Sequence, residues 1–336
     1  MRRATKRFIL TPIADTSDLF SDFAPYVASV NDSGTVAFQA ALRSGGTACC
    51  TGTGGQVTVA AESNATIVRQ FQSHPDIDRG GALCVYTVLR PGGEALVRIE
   101  GGQVMPIADT KGAFARIGPL GPTTNDEGAV AFRADTKAGE SGIFLARRGS
   151  VVTIADTTQF KGFQGLPVIN GGGRVVFRAD LESGGQGIYA SMDGAIRTVA
   201  TTGDRFRELG SFPSVNDQDV VTFSAKLFTG GAGIFTVVDG QVTTIVDTGQ
   251  FESFRGALID DAGNVIFYAT PHGGQLGIYP ADAAAEPIAR IGASLFDSTV
   301  VDFALNPVSV NRRGQVAIRM SLAGGRQFIV RADPET

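Results

Sequence analysis

An eight-residue motif recurs along the chain at a nearly constant interval. It reads NDSGTVAF from Asn31, NDEGAVAF from Asn125, NGGGRVVF from Asn170 and NDQDVVTF from Asn216. Further copies begin at residues 260 and 311, and a weaker copy with one extra residue, DRGGALCVY, begins at Asp78. The spacing between successive copies is therefore 44–51 residues. A period of this length indicates a solenoid or a propeller and argues against two separate globular domains.

Each repeat contains four segments with the composition of β-strands. In the fifth repeat they are SFPSVN (Ser211 to Asn216), VVTFSAKL (Val220 to Leu227), GIFTVVDG (Gly233 to Gly240) and QVTTIVDT (Gln241 to Thr248). Three of these are rich in β-branched and aromatic residues and are bounded by Gly or Asp, and no segment shows sustained helical periodicity. Four antiparallel strands in each repeat is the pattern of a propeller blade.

The start of the motif, N-x-x-G, predicts a type I turn that joins the first and second strands of each blade. Asn suits position i because its side chain bonds back to the backbone, and Gly suits position i+3, where φ is often positive. A calcium loop would need more oxygen ligands at defined spacing. Because the motif occurs in nearly every repeat, we expect it to serve the scaffold.

The two ends of the chain predict that the ring closes on itself. FILTPIADT (Phe8 to Thr16) matches fourth strands such as QVMPIADT (Gln103 to Thr110), and the last repeat ends after its third strand. We therefore expect an all-β fold, a single seven-bladed β-propeller over residues 1–336, in which the N-terminal strand completes the last blade. The expected blades cover about 17–63, 64–110, 111–157, 158–203, 204–248, 249–293 and 294–333 plus 1–16.

The repeat resembles that of bacterial tandem-repeat proteins with an N-x-x-G-x-x-A-F signature. The resemblance covers nearly the whole chain, and the copies at Asn31 and Asn125 match the signature completely. It implies a propeller fold and does not imply an activity.

Composition excludes several classes of partner. The net charge of -4 provides no basic field for nucleic acid or for an anionic membrane surface. No apolar run is long enough to span a membrane, and the apolar core of the N-terminus, Phe8 to Leu10, is too short for a signal peptide. A cytoplasmic protein is therefore expected, unless a longer secreted chain has been trimmed. The cysteines, Cys49, Cys50 and Cys84, are expected to be buried small hydrophobes, with a redox role for the adjacent pair as the alternative.

Function is expected on one face of the ring, which we name the top face. It carries the connections between second and third strands and between blades, whereas the N-x-x-G turns lie on the opposite face, named the turn face. The top connections are expected to be the longer ones, for example TGDRFRELGSF (Thr202 to Phe212). Binding residues usually lie on the longer loops of a rigid scaffold.

One aligned position of the repeat varies in a chemically informative way. Directly after the last apolar residue of the motif stand Gln39, Thr87, Arg133, Arg178, Ser224, Tyr268 and Arg319. The arginines could form structural salt bridges between blades, since Asp135 and Asp180 lie two residues beyond Arg133 and Arg178 on the same face. Alternatively, Arg133, Arg178 and Arg319 form an anion-binding cluster near the channel mouth, with Asp76 lining the channel.

The only two histidines, His74 and His272, are expected in exposed connections of the top face. They are either incidental or, with Tyr268, form a general acid/base set. Two further features repeat and favour structural roles. The phenylalanine pairs are expected to pack between blades rather than to form an aromatic rim; they are Phe20/Phe23, Phe160/Phe163 and Phe251/Phe254. The aspartates at the ends of the outer strands are expected to cap turns; they are Asp15, Asp109, Asp156 and Asp247.

Taken together, these patterns favour a binding module. It would use the top face and the channel mouth for a small anionic or aromatic ligand, or for a partner protein. The alternative is a propeller enzyme, a lyase, hydrolase or group-coupling catalyst, with its active site at the top of the channel. No metal site is predicted, and the sequence does not identify a cofactor.

Overall fold

Seven antiparallel sheets make up the protein in the computed structural model, which describes residues 7–281 and 286–335. Apart from a 3₁₀ turn at Pro307–Ser309, the elements of these residues are all β-strands. The predicted all-β, seven-bladed propeller is thereby confirmed. No helix in the described part of the chain is long and apolar enough to cross a membrane.

The first four blades follow one another along the chain. Blade 1 has strands Phe20–Asp22, Ser29–Val30, Val36–Leu42, Thr47–Gly52 and Thr58–Glu62. Blade 2 has Val68–Phe71, Asp76–Ile77, Leu83–Leu89, Glu94–Glu100 and Gln103–Asp109. Blade 3 has Phe114–Ile117, Thr123–Thr124, Val130–Thr136, Ser141–Arg147 and Ser150–Asp156. Blade 4 has Gly162–Ile169, Val175–Asp180, Gln186–Met192 and Ala195–Thr201.

The last three blades complete the ring. Blade 5 has strands Phe206–Leu209, Ser214–Val215, Val221–Leu227, Ala232–Val238 and Gln241–Asp247. Blade 6 has Phe251–Ile259, Val265–Pro271, Gly277–Pro280 and Ala289–Arg290. Blade 7 has Ser294–Leu295, Ser298–Ala304, Val316–Leu322, Gln327–Pro334 and the N-terminal strand Phe8–Asp15.

The N-terminal strand closes the ring as predicted. Phe8–Asp15 pairs antiparallel with Gln327–Pro334, in a register that sets Phe8 opposite Pro334 and Asp15 opposite Phe328. Closure removes the sheet edge that blade 7 would otherwise expose. Residues 1–6 of the predicted closing segment lie outside the described residues.

The innermost strand of each blade is longer than predicted. In blade 5, Phe206–Leu209 and Ser214–Val215 both pair with Val221–Leu227, so the two pieces form one strand interrupted at Gly210–Pro213. The expected long loop from Thr202 to Phe212 is wrong, because Phe206–Leu209 within it belongs to this strand. Only residues 228–231 and 248–250 then remain as top connections of the blade, so the top face is not rich in loops.

The predicted packing of phenylalanines between blades is confirmed. In blade 4, Phe160 and Phe163 are buried with Phe177, and they share a cluster with Ile143 of blade 3. Edge-to-face contacts such as Phe160–Phe177, with ring centroids 6.0 Å apart, recur in other blades. Each buried ring of this kind contributes about 1.5–3 kcal/mol of apolar burial. The three cysteines are free and buried.

Candidate functional site

The asparagine of the motif forms the predicted turn and also joins neighbouring blades. Asn31 Oδ1 accepts hydrogen bonds from the backbone N–H of Ser33 and Thr35, both at 3.1 Å, and Gly34 has a φ of +76°. Asn31 Nδ2 donates to the carbonyl of Asp78 in the next blade at 3.0 Å. The same link to the following blade is made by Asn125, Asn170, Asn216 and Asn311. The motif therefore belongs to the scaffold.

The second residue of the motif lines the channel at the turn face. In this position stand Asp32, Arg79, Asp126, Gly171, Asp217, Asp261 and Arg312. Arg312 lies among the four aspartates. Its guanidinium is 3.3 Å from Asp32, 2.9 Å from Asp217 and 3.4 Å from Asp261, and it also contacts Asp126. We name these five residues the axial ring.

The axial ring is an internal ion-pair network across the channel. The cavity beside it has a volume of about 130 Å³ and is lined by the inner strands and by the turns. No group of three or more His, Cys, Asp or Glu side chains in residues 7–281 and 286–335 is arranged to hold a metal ion. Sequence reasoning missed the ring. The available signal was that six of the seven residues at one motif position are Asp or Arg.

Asp76 lies buried on the channel side of blade 2 and lines the cavity. Its Oδ2 accepts a hydrogen bond from the backbone N–H of Thr124 at 2.6 Å, and its Oδ1 accepts one from Ile77 at 2.9 Å. Burial raises the pKa of Asp76 to about 7 despite these two hydrogen bonds.

His74 is also buried, so the expectation of an exposed loop histidine is wrong. Its ring fills the space over Gly121, where an added Cβ would lie 2.2 Å from the ring Cε1. The side-chain nitrogen of Asn306 is 3.4 Å from Nε2. Burial lowers the pKa of His74 to about 4, although a hydrogen bond to the Pro122 carbonyl acts in the opposite direction. A histidine in this state is neutral at physiological pH.

The other two members of the predicted acid/base set lie apart from His74. His272 is exposed, and its Nε2 is 3.0 Å from the carbonyl oxygen of Thr248. Tyr268 lies across Gly256, and burial raises the pKa of its hydroxyl. Neither residue lines the channel cavity. Within the described residues, the three side chains do not form one catalytic cluster.

The three arginines also do not form the expected ring at the channel mouth. Arg178 is buried and pairs with Asp180 at 3.1 Å, which is the salt bridge foreseen as the structural alternative. Arg319 pairs with Asp302 at 3.5 Å. Arg133 donates from Nη1 to the carbonyl of Gly165 in blade 4 at 3.0 Å. The innermost strand separates all three from the axis. Arg133 reaches the neighbouring blade, whereas Arg178 and Arg319 pair with carboxylates of their own blades.

The aligned position of blade 2 is occupied by Tyr86 rather than by Thr87. Asp78 and Gly81 form the same turn as Asn125 and Gly128, so the copy in blade 2 has no extra residue. The hydroxyl of Tyr86 accepts a hydrogen bond from the backbone N–H of Arg133 at 3.1 Å. The sequence comparison placed this position one residue too late because it matched Tyr86 to the final phenylalanine of the motif. Gly81, which matches Gly128, gives the correct register.

A second set of equivalent positions reaches solvent on the top face and was also missed. Near the start of each inner strand lies an apolar pair separated by two residues, as in Phe206-Arg207-Glu208-Leu209. The pair is buried except in blade 6, where Phe251 and Phe254 are half-buried. In blade 5, the pairing register shifts between Phe206 and Glu208, so Arg207 is the bulged residue. A bulge turns its side chain away from the ladder. The positions between repeated apolar residues were the signal that could have found this set.

A groove on the top of blades 3–5 brings three cations together. It has a volume of about 480 Å³ and is lined by Arg133, Lys161 and Arg207, with Gln164 and Asp180 on its wall. Lys161 and Arg207 are exposed, and Arg133 is half-buried. Burial lowers the pKa of Arg133. Tyr86 and Asp135 act in the opposite direction, and the positive charge of Arg116 adds to the effect of burial. We name this site the basic groove.

A neighbouring groove shares Arg207 with the basic groove. It lies between blades 5 and 6, has a volume of about 540 Å³ and contains the half-buried rings of Phe212 and Phe254. Its charged residues include Lys226 and Glu208, which pair with each other at 2.8 Å. We name it the aromatic groove. A cationic groove and a groove that combines aromatic rings with charges of both signs are thus adjacent on one face.

Part of the sequence matches a known family. Residues 87–235, less than half of the chain, match the model of a family of unknown function, DUF7453. This stretch runs from blade 2 into blade 5. No curated protein matches the sequence.

Three solved structures are similar to the whole propeller. An oligogalacturonate lyase in complex with manganese shares 10% identity at a TM-score of 0.60, with 98% of each chain covered. A puromycin-hydrolysing peptidase of Mycobacterium tuberculosis shares 13% identity at a TM-score of 0.54, with 95% of this chain and 53% of that chain covered. PorZ, a surface component of the type IX secretion system of Porphyromonas gingivalis, shares 12% identity at a TM-score of 0.50, with 92% of this chain and 46% of that chain covered. At such identities the likeness shows the fold alone.

Proposed function

We propose that this propeller is a non-catalytic binding module that holds an anionic ligand in the basic groove of its top face. The observation that carries the proposal is the set of cations in that groove. Among the described residues, no carboxylate lies within 4 Å of Arg133, Lys161 or Arg207. A bound carboxylate or phosphate would supply the missing partner through charge-assisted hydrogen bonds. The repeat supports grouping the chain with the bacterial N-x-x-G-x-x-A-F tandem-repeat proteins.

The position of Arg133 supports this ligand class. One arm of its guanidinium is fixed by the carbonyl of Gly165, which orients the remaining N–H groups. Burial and the charge of Arg116 make the cationic form of Arg133 less favourable than in water. An anion in the groove would offset both effects.

The enzyme reading has less support. A general acid/base set at the top of the channel would need His74, His272 and Tyr268 near one another, and none of the three lines the channel cavity as formed by the described residues. A histidine whose pKa is about 4 would also be a weak base for chemistry near neutral pH.

The binding proposal is tested by charge reversal in the groove. We expect Arg207→Glu to weaken binding of a fluorescein-labelled tetraglutamate peptide about tenfold or more, measured by fluorescence anisotropy. Arg313→Glu is the matched control, because Arg313 is equally exposed but lies in the motif of blade 7 on the turn face. Equal affinities for both variants and the wild type would refute the basic groove as the binding site.

A further inference from the structure

The basic residues of the top face extend beyond the groove at equivalent positions of neighbouring blades. The two residues between the repeated apolar pair are Ser21-Asp22, Arg69-Gln70, Ala115-Arg116, Lys161-Gly162, Arg207-Glu208, Glu252-Ser253 and Val301-Asp302. In six of the seven blades a register shift occurs at this point of the inner strand. In blades 2 and 5 the bulged residue is a cation, Arg69 or Arg207, and the bulge turns its side chain away from the ladder. In blade 3 the bulged residue is Ala115, which precedes Arg116, and in blade 4 no register shift occurs at Lys161.

Blades 2 to 5 each present one cation at these positions. Arg69, Arg116, Lys161 and Arg207 are all exposed, and none has a carboxylate within 4 Å in residues 7–281 and 286–335. We name them the basic arc. Several arginines of the turn face differ, since Arg79, Arg98, Arg147, Arg174 and Arg312 are paired with carboxylates. In these four adjacent blades, the exposed cation near the start of the inner strand therefore has no carboxylate partner among the described residues.

The arc is bounded by acidic residues on both sides. Blade 6 has Glu252 at the position of Arg207. Blades 7 and 1 have Asp302, which pairs with Arg319, and Asp22 at the position of Arg116. A long polyanion that continued around the ring would meet these negative charges. The arrangement suits a short acidic stretch that ends where the arc ends.

We infer that the ligand of the top face is an extended acidic segment of a polypeptide, which crosses blades 2 to 5 and contacts one cation in each blade. This inference rests on the proposed function. A compact anion could contact only the adjacent blades at the basic groove, which would leave Arg69 and Arg116 without a role. The aromatic groove beside Arg207 favours a polypeptide, because Phe212 and Phe254 offer a place for an apolar side chain next to the acidic stretch. Phosphate polymers lack such a group.

The inference is tested with ligands of two lengths. We expect Arg69→Glu to weaken dodecaglutamate about tenfold and to leave tetraglutamate unchanged, because only the long peptide reaches blade 2. Arg207→Glu should weaken both peptides, and Arg313→Glu should weaken neither. Melting temperatures show whether each variant is folded. Arg69→Gln removes the positive charge without reversing it and should have a smaller effect than Arg69→Glu.

The outcomes separate this inference from the proposed function. If Arg207→Glu weakens both peptides and Arg69→Glu weakens neither, the site is compact and the extended ligand is refuted. If Arg207→Glu has no effect, the proposed function itself fails. If a single-stranded oligothymidylate of twelve residues binds more tightly than dodecaglutamate at the same salt concentration, the ligand is not a polypeptide.

Discussion

In blade 2, Asp76 and His74 together replace a hydrogen bond to the next blade that other blades make with a single Ser or Thr hydroxyl. Thr123 Oγ1 donates to the carbonyl of Pro167 in the next blade at 3.0 Å, and Ser29 and Ser309 make equivalent bonds. The corresponding residue of blade 2 is Asp76, whose carboxylate accepts from Thr124 instead. The ring of His74 donates to the Pro122 carbonyl in its place. The pair thus preserves a link between blades with two ionisable groups.

This substitution makes stability depend on pH in two opposing ways. Asp76 keeps its proton in the folded protein up to about pH 7, whereas the unfolded chain releases it near 3.8, so its stabilising contribution is lost as pH rises through this interval. His74 remains neutral in the folded protein down to about pH 4, whereas the unfolded chain binds a proton below 6.5. Its contribution therefore grows as pH rises from about 4 to 6.5.

Single variants should separate the two contributions. Between pH 4.5 and 6.5, we expect His74→Gln to lose stability as pH rises and Asp76→Asn to gain it, each by up to about 1.4 kcal/mol per pH unit. Nearby Asp78 raises the pKa of Asp76 further and is unchanged in both variants. Urea unfolding at several pH values measures the slopes. Parallel profiles for the two variants would contradict the assigned protonation states.

The backbone conformation of each N-x-x-G turn depends on the glycine at its last position. In the motif of blade 4, Gly173 has a φ of +86° with no atom within 4 Å of an added Cβ, whereas the neighbouring Gly172 has no such φ. A non-glycine residue in the left-handed region costs about 1–2 kcal/mol. The requirement at Gly173 is therefore conformational rather than a matter of space.

Adjacent glycines provide a matched test of this element. Gly173→Ala should lower the free energy of unfolding by about 1–2 kcal/mol, and Gly172→Ala should leave it unchanged or raise it slightly by restricting the unfolded chain. Chemical denaturation of the two variants gives the comparison. Equal losses at both positions would show that crowding, and not backbone conformation, limits this turn.

The sequence correctly predicted the second, third and fourth strands of each blade, but it predicted too short an inner strand. The second to fourth strands show continuous β-branched and aromatic runs, and their ranges agree with Val221–Leu227, Ala232–Val238 and Gln241–Asp247. The inner strand is interrupted by Gly210 and Pro213, which are signals for a loop. Its two halves are held together only by pairing with the second strand, which a local pattern does not reveal.

The candidate site was predictable only in part, for a reason of geometry. Alternation along the second strand correctly predicted that Arg133 and Arg178 lie on the opposite face from the neighbouring phenylalanines. It could not show that the inner strand stands between these arginines and the axis. The predicted top face therefore remains the proposed binding face, while the groups that line the proposed groove come partly from bulges, such as Arg207, that strand periodicity does not encode.

For the whole molecule, the axial ring joins blades that are distant along the chain. Arg312 of blade 7 contacts carboxylates of blades 1, 3, 5 and 6 and is still 30% exposed. Removing its charge would leave four aspartates close together around the axis. We expect Arg312→Gln to destabilise the propeller by about 1–3 kcal/mol, less than for a fully buried ion pair because water screens the ring.

The neighbouring residue is the control for this prediction. Arg313 is exposed and has no carboxylate within 4 Å in the described part of the chain, so Arg313→Gln should have little effect. Added salt should reduce the loss in Arg312→Gln, because it screens the repulsion among the aspartates. Similar thermal unfolding of both variants at low salt would show that the axial ring contributes nothing to closure.

The division of the molecule into a structural turn face and a binding top face is tested most directly by hydrogen–deuterium exchange with and without dodecaglutamate. We expect the peptide to slow exchange in Phe206–Leu209 and in residues 160–164, and to leave the turn from Asn31 to Gly34 unchanged. Slower exchange at the N-x-x-G turns, with none in the inner strands of the top face, would contradict this division.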